Sequence, residues 1–386
     1  MALSKKMIEY VEETEREALD LLVELAKIPA PSNHEEKRAA FCLEWLERQG
    51  AEGVYVDEAL NLVCPVGDCG GASPLTVFMA HSDTVFPDTE EMPLKMDRSA
   101  IHCPGVGDDT AGVVALLMSV RYVLREKLVP REGGVLFVVN SGEEGLGNLK
   151  GSRKIVETYG TQIRHFYSID GWNGNITSVA VGSQRFHVRL KTEGGHSYLA
   201  FGNRNAIAHM ASLIDSLYAL KPPQGATYNV GMIQGGTSVN TIAQDAEILY
   251  EFRADNMAAM EQMQKHFDAC IEYYRQKGIT IQVEIIGERP CTGDVDQTEE
   301  AAMMERANQA HLAYFGKEAN FVASSTDCNI PLSLGIPSLC IDSFMGGGAH
   351  SREEYVLIDS LMPGRKLVMD MIMHYFQVPQ WEEANA

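Results

Sequence analysis

The sequence predicts an α/β fold: a mostly parallel-sheet domain carrying an inserted, smaller domain of ferredoxin-like order. Three observations predict it. Short continuous apolar runs, "PLTVFMAH", "GGVLFVVNSGEEG" and "HFYSID", alternate with segments of helical period. Strands buried on both faces read as such runs. After Gly182 the strands change to apolar/polar alternation, as in "QRFHVRLKTEG", the mark of a sheet with one solvated face. The chain has 386 residues, long for one compact core and suited to two domains.

The elements follow in order. Residues 8–28 and 34–49 read as amphipathic helices, and 54–56 and 62–66 as short strands. The strand "PLTVFMAH" comes next, then the helix "GVVALLMSVRYVLREK" and the strand and turn "GGVLFVVNSGEEG". A helix, "GNLKGSRKIVETYG", and the strand "HFYSID" complete this layer. From "QRFHVRLKTEG" the pattern runs strand, helix, strand, strand, helix, strand, ending at "ITIQVEIIGE". That β-α-β-β-α-β order is the ferredoxin-like split unit. The inserted domain is therefore expected at 183–290, and the outer domain at 1–182 and 291–386. "TEEAAMMERANQAHLAYFG" (helix), "SLCIDSF" (strand) and "DSLMPGRKLVMDMIMHYFQ" (helix) return the chain to the first sheet.

Composition narrows the function. A formal net charge of −21 argues against nucleic acid or an anionic membrane as partner, both being polyanions. No apolar run is long enough to span a bilayer. The N-terminus "MALSKKMIEYVEETERE" lacks the apolar core of a secretion signal. Eight cysteines are scattered without a CxxC, so reduced thiols and a cytoplasmic location are expected.

Ligands bind beyond the carboxyl ends of strands in α/β sheets, and three such ends carry acids or a histidine. The first ends at His81 and Asp83, the second in "NSGEEG" with Glu143 and Glu144, the third at Asp170. The glycine-flanked turn "GVGDDTAG" adds Asp108 and Asp109, and "MGGGAHSREE" adds His350. Taken singly each has a plainer reading. Acids before a helix cap it, Glu143–Glu144 is solvated charge, Asp170 a turn residue, and His350 an exposed loop residue. Together they crowd acids and imidazoles at one sheet edge, which is costly without cations. Their ligand types match a two-zinc hydrolase. His81 and Asp83, two apart on an extended chain, point to one side, so Asp83 is placed to orient the ring of His81. Two zinc ions carry four positive charges; Asp108, Glu144, Asp170 and a bridging hydroxide balance them. Cobalt or manganese would suit the same donors.

The chain resembles the zinc exopeptidase family that includes peptidase T, aminoacylase and glutamate carboxypeptidase. The blocks "AHSDTV", "GVGDDTAG", "GEEG", "IDG" and "GGGAHSREE" match in order over nearly the whole length. The resemblance implies that His81 and Asp170 hold one zinc, that Glu144 and His350 hold the other, and that Asp108 bridges them. It implies Glu143 as the general base, Asp83 as the residue orienting His81, and a cis peptide after Asp108. In the inserted domain, "GGHSYLAFG" is similar to a block whose histidine, here His196, reaches a partner subunit's site. "GGTSVNTIAQDAEILYEFR" is similar to a block that binds substrate, pointing to Asn240 and Arg253. On their own these three read as a strand-end surface residue, a turn residue and a salt-bridging arginine. "SSTDCN" resembles a loop near the active site, with Thr326 and Asp327. The inserted domain would be a lid and homodimer interface.

Two positions set the branch. Thr110 stands where many relatives have lysine, which bears on substrate preference. Asp170, rather than glutamate, is typical of the aminopeptidase and aminoacylase branches. The expected activity is a peptidase T-like aminopeptidase acting on short peptides. The alternative on the same scaffold is an N-acyl-amino-acid amidohydrolase or dipeptidase. A one-metal hydrolase, and a relative without activity serving as a scaffold, are the remaining readings; the intact ligand set and base argue against the last.

Overall fold

The computed structural model describes residues 3–378. The chain divides into two compact units, Met1–Val179 with Asp294–Ala386, and Ala180–Gly293.

The first unit is built on an eight-stranded sheet. Its strands run Tyr55–Val56, Leu62–Gly67, Gly134–Asn140, Leu75–His81, Ile163–Trp172, Ser338–Phe344, Asn175–Ala180 and Asn320–Ser324. The four middle strands are mutually parallel, and antiparallel strands flank them. Every residue of Leu75–His81, Gly134–Asn140 and Ser338–Phe344 is buried, which explains why these strands read as unbroken apolar runs. Helices Gly112–Arg125 and Ile358–Met373 cover the sheet. Parallel pairing, with His81 opposite Asn140, brings the loops after these strands to a single edge.

Two features differ from the sequence expectation. The helix expected over 8–28 is two helices, Lys5–Glu13 and Glu15–Lys27, parted at Thr14. The guanidinium of Arg365 donates to the carbonyls of Val11 and Thr14 and to the Thr14 hydroxyl, so those acceptors are held by a side chain at the break. A second sheet of short strands, Gly346–Gly347, Tyr355–Leu357, Ala100–His102 and Lys95–Met96, had no periodic signature. It ties the segment before Asp108 to the segment after His350.

The second unit is a four-stranded antiparallel sheet in the order Ala226–Gly235, Asp245–Ala254, Gly182–Lys191, Thr280–Arg289. Helices Ala206–Tyr218 and Met257–Gln276 complete the β-α-β-β-α-β order. Asn205 and Asn256 cap them, each accepting a backbone N–H with its side chain. The core is aromatic: Phe186 and Phe267 stack at 4.1 Å, beside Tyr250 and Phe252. All eight cysteines are free thiols. Among the described residues, no helix is long and apolar enough to cross a membrane.

Candidate metal centre

The parallel strand ending at His81 leaves its imidazole fully buried at the sheet edge. Its Nε2 lies 3.0 Å from Asp108 Oδ1 and 3.7 Å from Asp170 Oδ1. The Nε2 of His350 lies 3.1 Å from Asp108 Oδ2 and 2.9 Å from Glu144 Oε1. The carboxylate of Asp108 thus carries one imidazole on each oxygen. His81, Asp108 and Glu144 offer ligand atoms within 4.8 Å of one another, and so do His81, Asp109 and Asp170. The peptide between Asp108 and Asp109 is cis.

Asp83 does two things. Its backbone carbonyl is 3.1 Å from His81 Nδ1, closer than its carboxylate at 3.5 Å. The ring's hydrogen-bond partner by distance is therefore the main chain of Asp83. Its carboxylate fastens the next loop, taking the N–H groups of Glu143 (2.9 Å) and Glu144 (3.0 Å) and the hydroxyl of Ser32 (2.7 Å). Glu143, itself buried, is set beside Glu144 by that anchor.

The electrostatics are those of a cation site. Burial and the charges of Asp108 and Glu143 push Glu144 up to about 8. Burial pushes Asp170 up to about 6, partly offset by His81. Burial opposes ionisation of Asp108 too, but His350 and His81 outweigh it and lower its pKa. Hydrogen bonds to Asp108 and Glu144 raise His350 to about 11. Burial opposes a charge on His81, yet Asp108, Asp170 and Asp83 raise it well above its usual value. Buried carboxylates crowded against two imidazoles call for positive charge among them, which divalent cations would supply. Imidazole nitrogens and carboxylate oxygens are donors that fit zinc, and cobalt or manganese as well. The residues fit the group.

A family model, Peptidase family M20/M25/M40, matches residues 77–374. The chain belongs to this family. It is a metallopeptidase, a hydrolase acting on peptide bonds. Uncharacterized protein YqjE of Bacillus subtilis is 25% identical over 392 residues, covering 93% of this chain and 98% of that protein. A tripeptidase of Staphylococcus aureus shares the fold with a TM-score of 0.78 at 23% identity, covering 94% of this chain and 98% of its own. Aminopeptidase PepT of Bacillus cereus does so with a TM-score of 0.70 at 20% identity, covering 93% and 98%.

Around the centre of this M20-family chain stand further residues, of which Glu354, Arg38 and Glu35 were not named from the sequence. Glu354 is buried, and its carboxylate takes the N–H groups of Gly105 (2.8 Å), Gly107 (2.8 Å) and Asp108 (2.9 Å). It shapes the turn that presents Asp108. Asp109 Oδ2 takes the N–H of His81 at 3.0 Å. Arg38, fully buried, donates to the Ser82 carbonyl (3.0 Å) and to the hydroxyl of Thr110 (3.1 Å); Thr110 in turn donates to the Gly105 carbonyl. Glu35 takes the N–H of Gly142 at 2.9 Å and pairs with Lys150 at 3.0 Å. Of Glu354, Arg38 and Glu35, only Glu354 had a sequence signal, since it ends the "HSREE" block that contains His350. Asp327 is buried and accepts from the amide of Asn140 at 2.7 Å. The hydroxyl of Thr326 accepts the N–H of Cys328 at 3.2 Å.

In the second unit a two-residue ribbon pairs Gly195–His196 with Thr241–Ile242. This brings His196 and Asn240 together: the Asn240 carbonyl accepts the N–H of Ser197 at 3.0 Å, and its side chain accepts from Ser238. His196 is exposed, and its Nδ1 accepts the N–H of Tyr198 at 3.2 Å. Arg253 lies on the strand Asp245–Ala254 and pairs with Glu251 at 3.2 Å. The surface ion pair is thus its visible partnership.

Proposed function

We propose that this chain is a peptidase T-like aminopeptidase that releases the N-terminal residue of short peptides with the help of two zinc ions. One observation carries the reading: Asp108 holds an imidazole on each carboxylate oxygen, while the Asp83 anchor sets Glu143 beside the same cluster. In this reading His81 and Asp170 hold one ion, Glu144 and His350 the other, and Asp108 lies between them. A bound metal pair lowers the pKa of a water and polarises the scissile carbonyl. Glu143 takes the proton from the attacking water and delivers it to the leaving amine, as a carboxylate base and acid in turn. Asp83 keeps its main chain fixed through that exchange, and the Asp83 carbonyl holds the His81 tautomer.

Substrate contact is assigned to His196, Asn240 and Arg253 of the second unit. The ribbon that pairs the His196 and Asn240 segments supports a shared role for those two. The second unit is assigned the lid and homodimer roles, which its exposed Tyr198, Leu199, Phe201 and Val239 favour. Eight free thiols favour a cytoplasmic location.

The test compares hydrolysis of a free-amine tripeptide and its N-acetylated twin by the zinc-loaded protein. The expected result is cleavage of the free-amine peptide alone, with Glu143→Ala slower by roughly 10²–10⁴. Preference for the acetylated twin would move the function to an N-acyl-amino-acid amidohydrolase. No cleavage of either would remove the aminopeptidase reading.

A further inference from the structure

Of the candidate metal ligands, His350 has the least packing to hold it. The side chains of His81, Asp108, Glu144 and Asp170 are between 0% and 17% exposed, and that of His350 is 58% exposed. It follows three glycines in "MGGGAHSREE". Its φ is +62°, a region that residues other than glycine adopt rarely. Gly348, two residues before it, is left-handed as well, at +73°, and a glycine backbone has the most freedom to lose. The partners of the His350 ring, Asp108 and Glu144, are the carboxylates that a cation would share. The loop therefore needs a mount of its own.

One lies two residues on. Arg352 donates to Asp88 with both terminal nitrogens, Nη1 to Oδ1 at 2.9 Å and Nη2 to Oδ2 at 2.7 Å. The same guanidinium lies over the ring of Phe86, 4.8 Å from its centroid, and Phe86 is buried. A single exposed ion pair is worth little. This one has two parallel hydrogen bonds and an aromatic floor, both of which use the planar fork of arginine. Asp88 and Phe86 belong to the segment that leaves His81 and Asp83, and that segment is tied down along its length. The N–H groups of Thr84 and Met92 donate to the carbonyls of Ala30 (2.8 Å) and Lys27 (2.9 Å). Lys37 donates to the Thr89 carbonyl at 3.2 Å, and Lys27 pairs with Glu91 at 3.2 Å. The clasp thus joins the loop of His350 to a fixed segment that starts at the other imidazole.

We infer that Arg352 is a positioning residue, which holds His350 at the metal centre by clasping Asp88 over Phe86. The inference rests on the two-metal reading of the site. Its work differs from that of Glu354. Glu354 fastens the chain four residues after His350 to the turn that presents Asp108. Arg352 fastens it two residues after His350 to the segment that leaves His81 and Asp83. The ring of His350 then meets Asp108 and Glu144 without packing around its own side chain.

The experiment is titration of the metal-free, full-length chain with cobalt(II), followed by visible absorption, for the parent, Arg352→Ala, Asp88→Ala and the double variant. The parent should bind two ions. In each single variant one of the two affinities should fall by about tenfold, the low end for groups that orient metal ligands. The double variant should lose no more than either single one, because both changes open the same clasp. Arg352→Lys keeps the charge and loses the fork, so it should recover only part of the loss. Amide hydrogen exchange over residues 348–354 of the metal-free chain should quicken several-fold in Arg352→Ala, a readout that needs no metal. Losses that add in the double variant, or exchange at the parent's rate, overturn the inference. So does a raised KM for the tripeptide with both cobalt affinities unchanged, which would make Arg352 a substrate contact. Fewer than two ions in the parent refutes the two-metal reading instead, and the exchange rates then decide the clasp.

Discussion

Replacing Asp83 by asparagine tests the anchor of the Glu143–Glu144 loop with a change of one atom. Oδ1 of Asp83 takes the N–H of Glu143, and Oδ2 takes the N–H of Glu144 and the hydroxyl of Ser32. An asparagine has one oxygen. With its amide group at the Oδ2 position it can donate to Ser32 but faces the N–H of Glu144; at the Oδ1 position it faces the N–H of Glu143. Either way one buried peptide N–H is stranded, at about 1–3 kcal/mol, and the surviving bonds lose their charge assistance. No relief of a strained charge offsets this. Burial pushes the Asp83 carboxyl up, yet the His81 ring, the Ser32 hydroxyl and the Glu143 N–H outweigh it and hold its pKa below the usual value. The expected net loss is roughly 2–4 kcal/mol of stability, read as a lower urea midpoint at pH 7.5 with zinc present. Activity should fall by about 10², the effect of shifting a catalytic group by an ångström. Ser32→Ala is the control, since it removes one hydroxyl donor to Asp83 and leaves both N–H groups held. A variant with midpoint and kcat within twofold of the parent would refute the anchoring role.

Three further outcomes are expected. Glu354→Gln leaves a single acceptor oxygen for three N–H groups, so the turn presenting Asp108 loosens; zinc affinity, measured by chelator competition, should drop roughly 10–100-fold, and an unchanged affinity would show that the turn holds itself. Zinc binding at pH 7 should release protons, because Glu144 (about 8) and His350 (about 11) must give theirs up; titration heats that do not vary with the buffer's ionisation enthalpy would contradict this. Away from the site, burial raises Asp370 to about 6, offset in part by the Tyr314 hydroxyl at 2.9 Å. Its folded pKa exceeds its unfolded one, so it costs stability increasingly as pH rises from about 4 to 6, by at most ~3 kcal/mol. Asp370→Asn should therefore gain on the parent at pH 8 and not at pH 4, and a gain equal at both pH values would be inconsistent with the shift.

The sheet and the acids and histidines gathered at its edge were legible because their signals are local. Unbroken apolar runs give the central strands, and acids or histidines placed at their carboxyl ends give His81, Glu143, Glu144 and Asp170. Asp83 was legible as a partner of His81 because two residues apart on an extended chain share a side. Its grip on Glu143 and Glu144 was not, since it spans 60 and 61 residues. Glu354 acts on residues 246–249 positions away, and nothing in a charge run announces that three peptide groups will meet it. The short second sheet escaped notice because two- and three-residue strands carry no period. Arg253 reads from sequence as a salt-bridging arginine, and it does pair with Glu251.

The break at Thr14 shows what kind of information periodicity lacks. Apolar spacing over 8–28 describes one face of one helix, and the spacing is satisfied on both sides of the break. What differs is the polar accounting. Thr14 offers a carbonyl and a hydroxyl that Arg365 takes from 351 residues away. A buried guanidinium must find acceptors or an anion, so the chain ends a helix early to supply some of them. It supplies acceptors for the two terminal nitrogens and none for Nε. Long-range polar satisfaction thus bears on where the helix stops. The same logic holds at the metal centre, where Glu354, Asp109 and Asp83 satisfy backbone N–H groups so that Asp108, His81 and Glu143 are held in place.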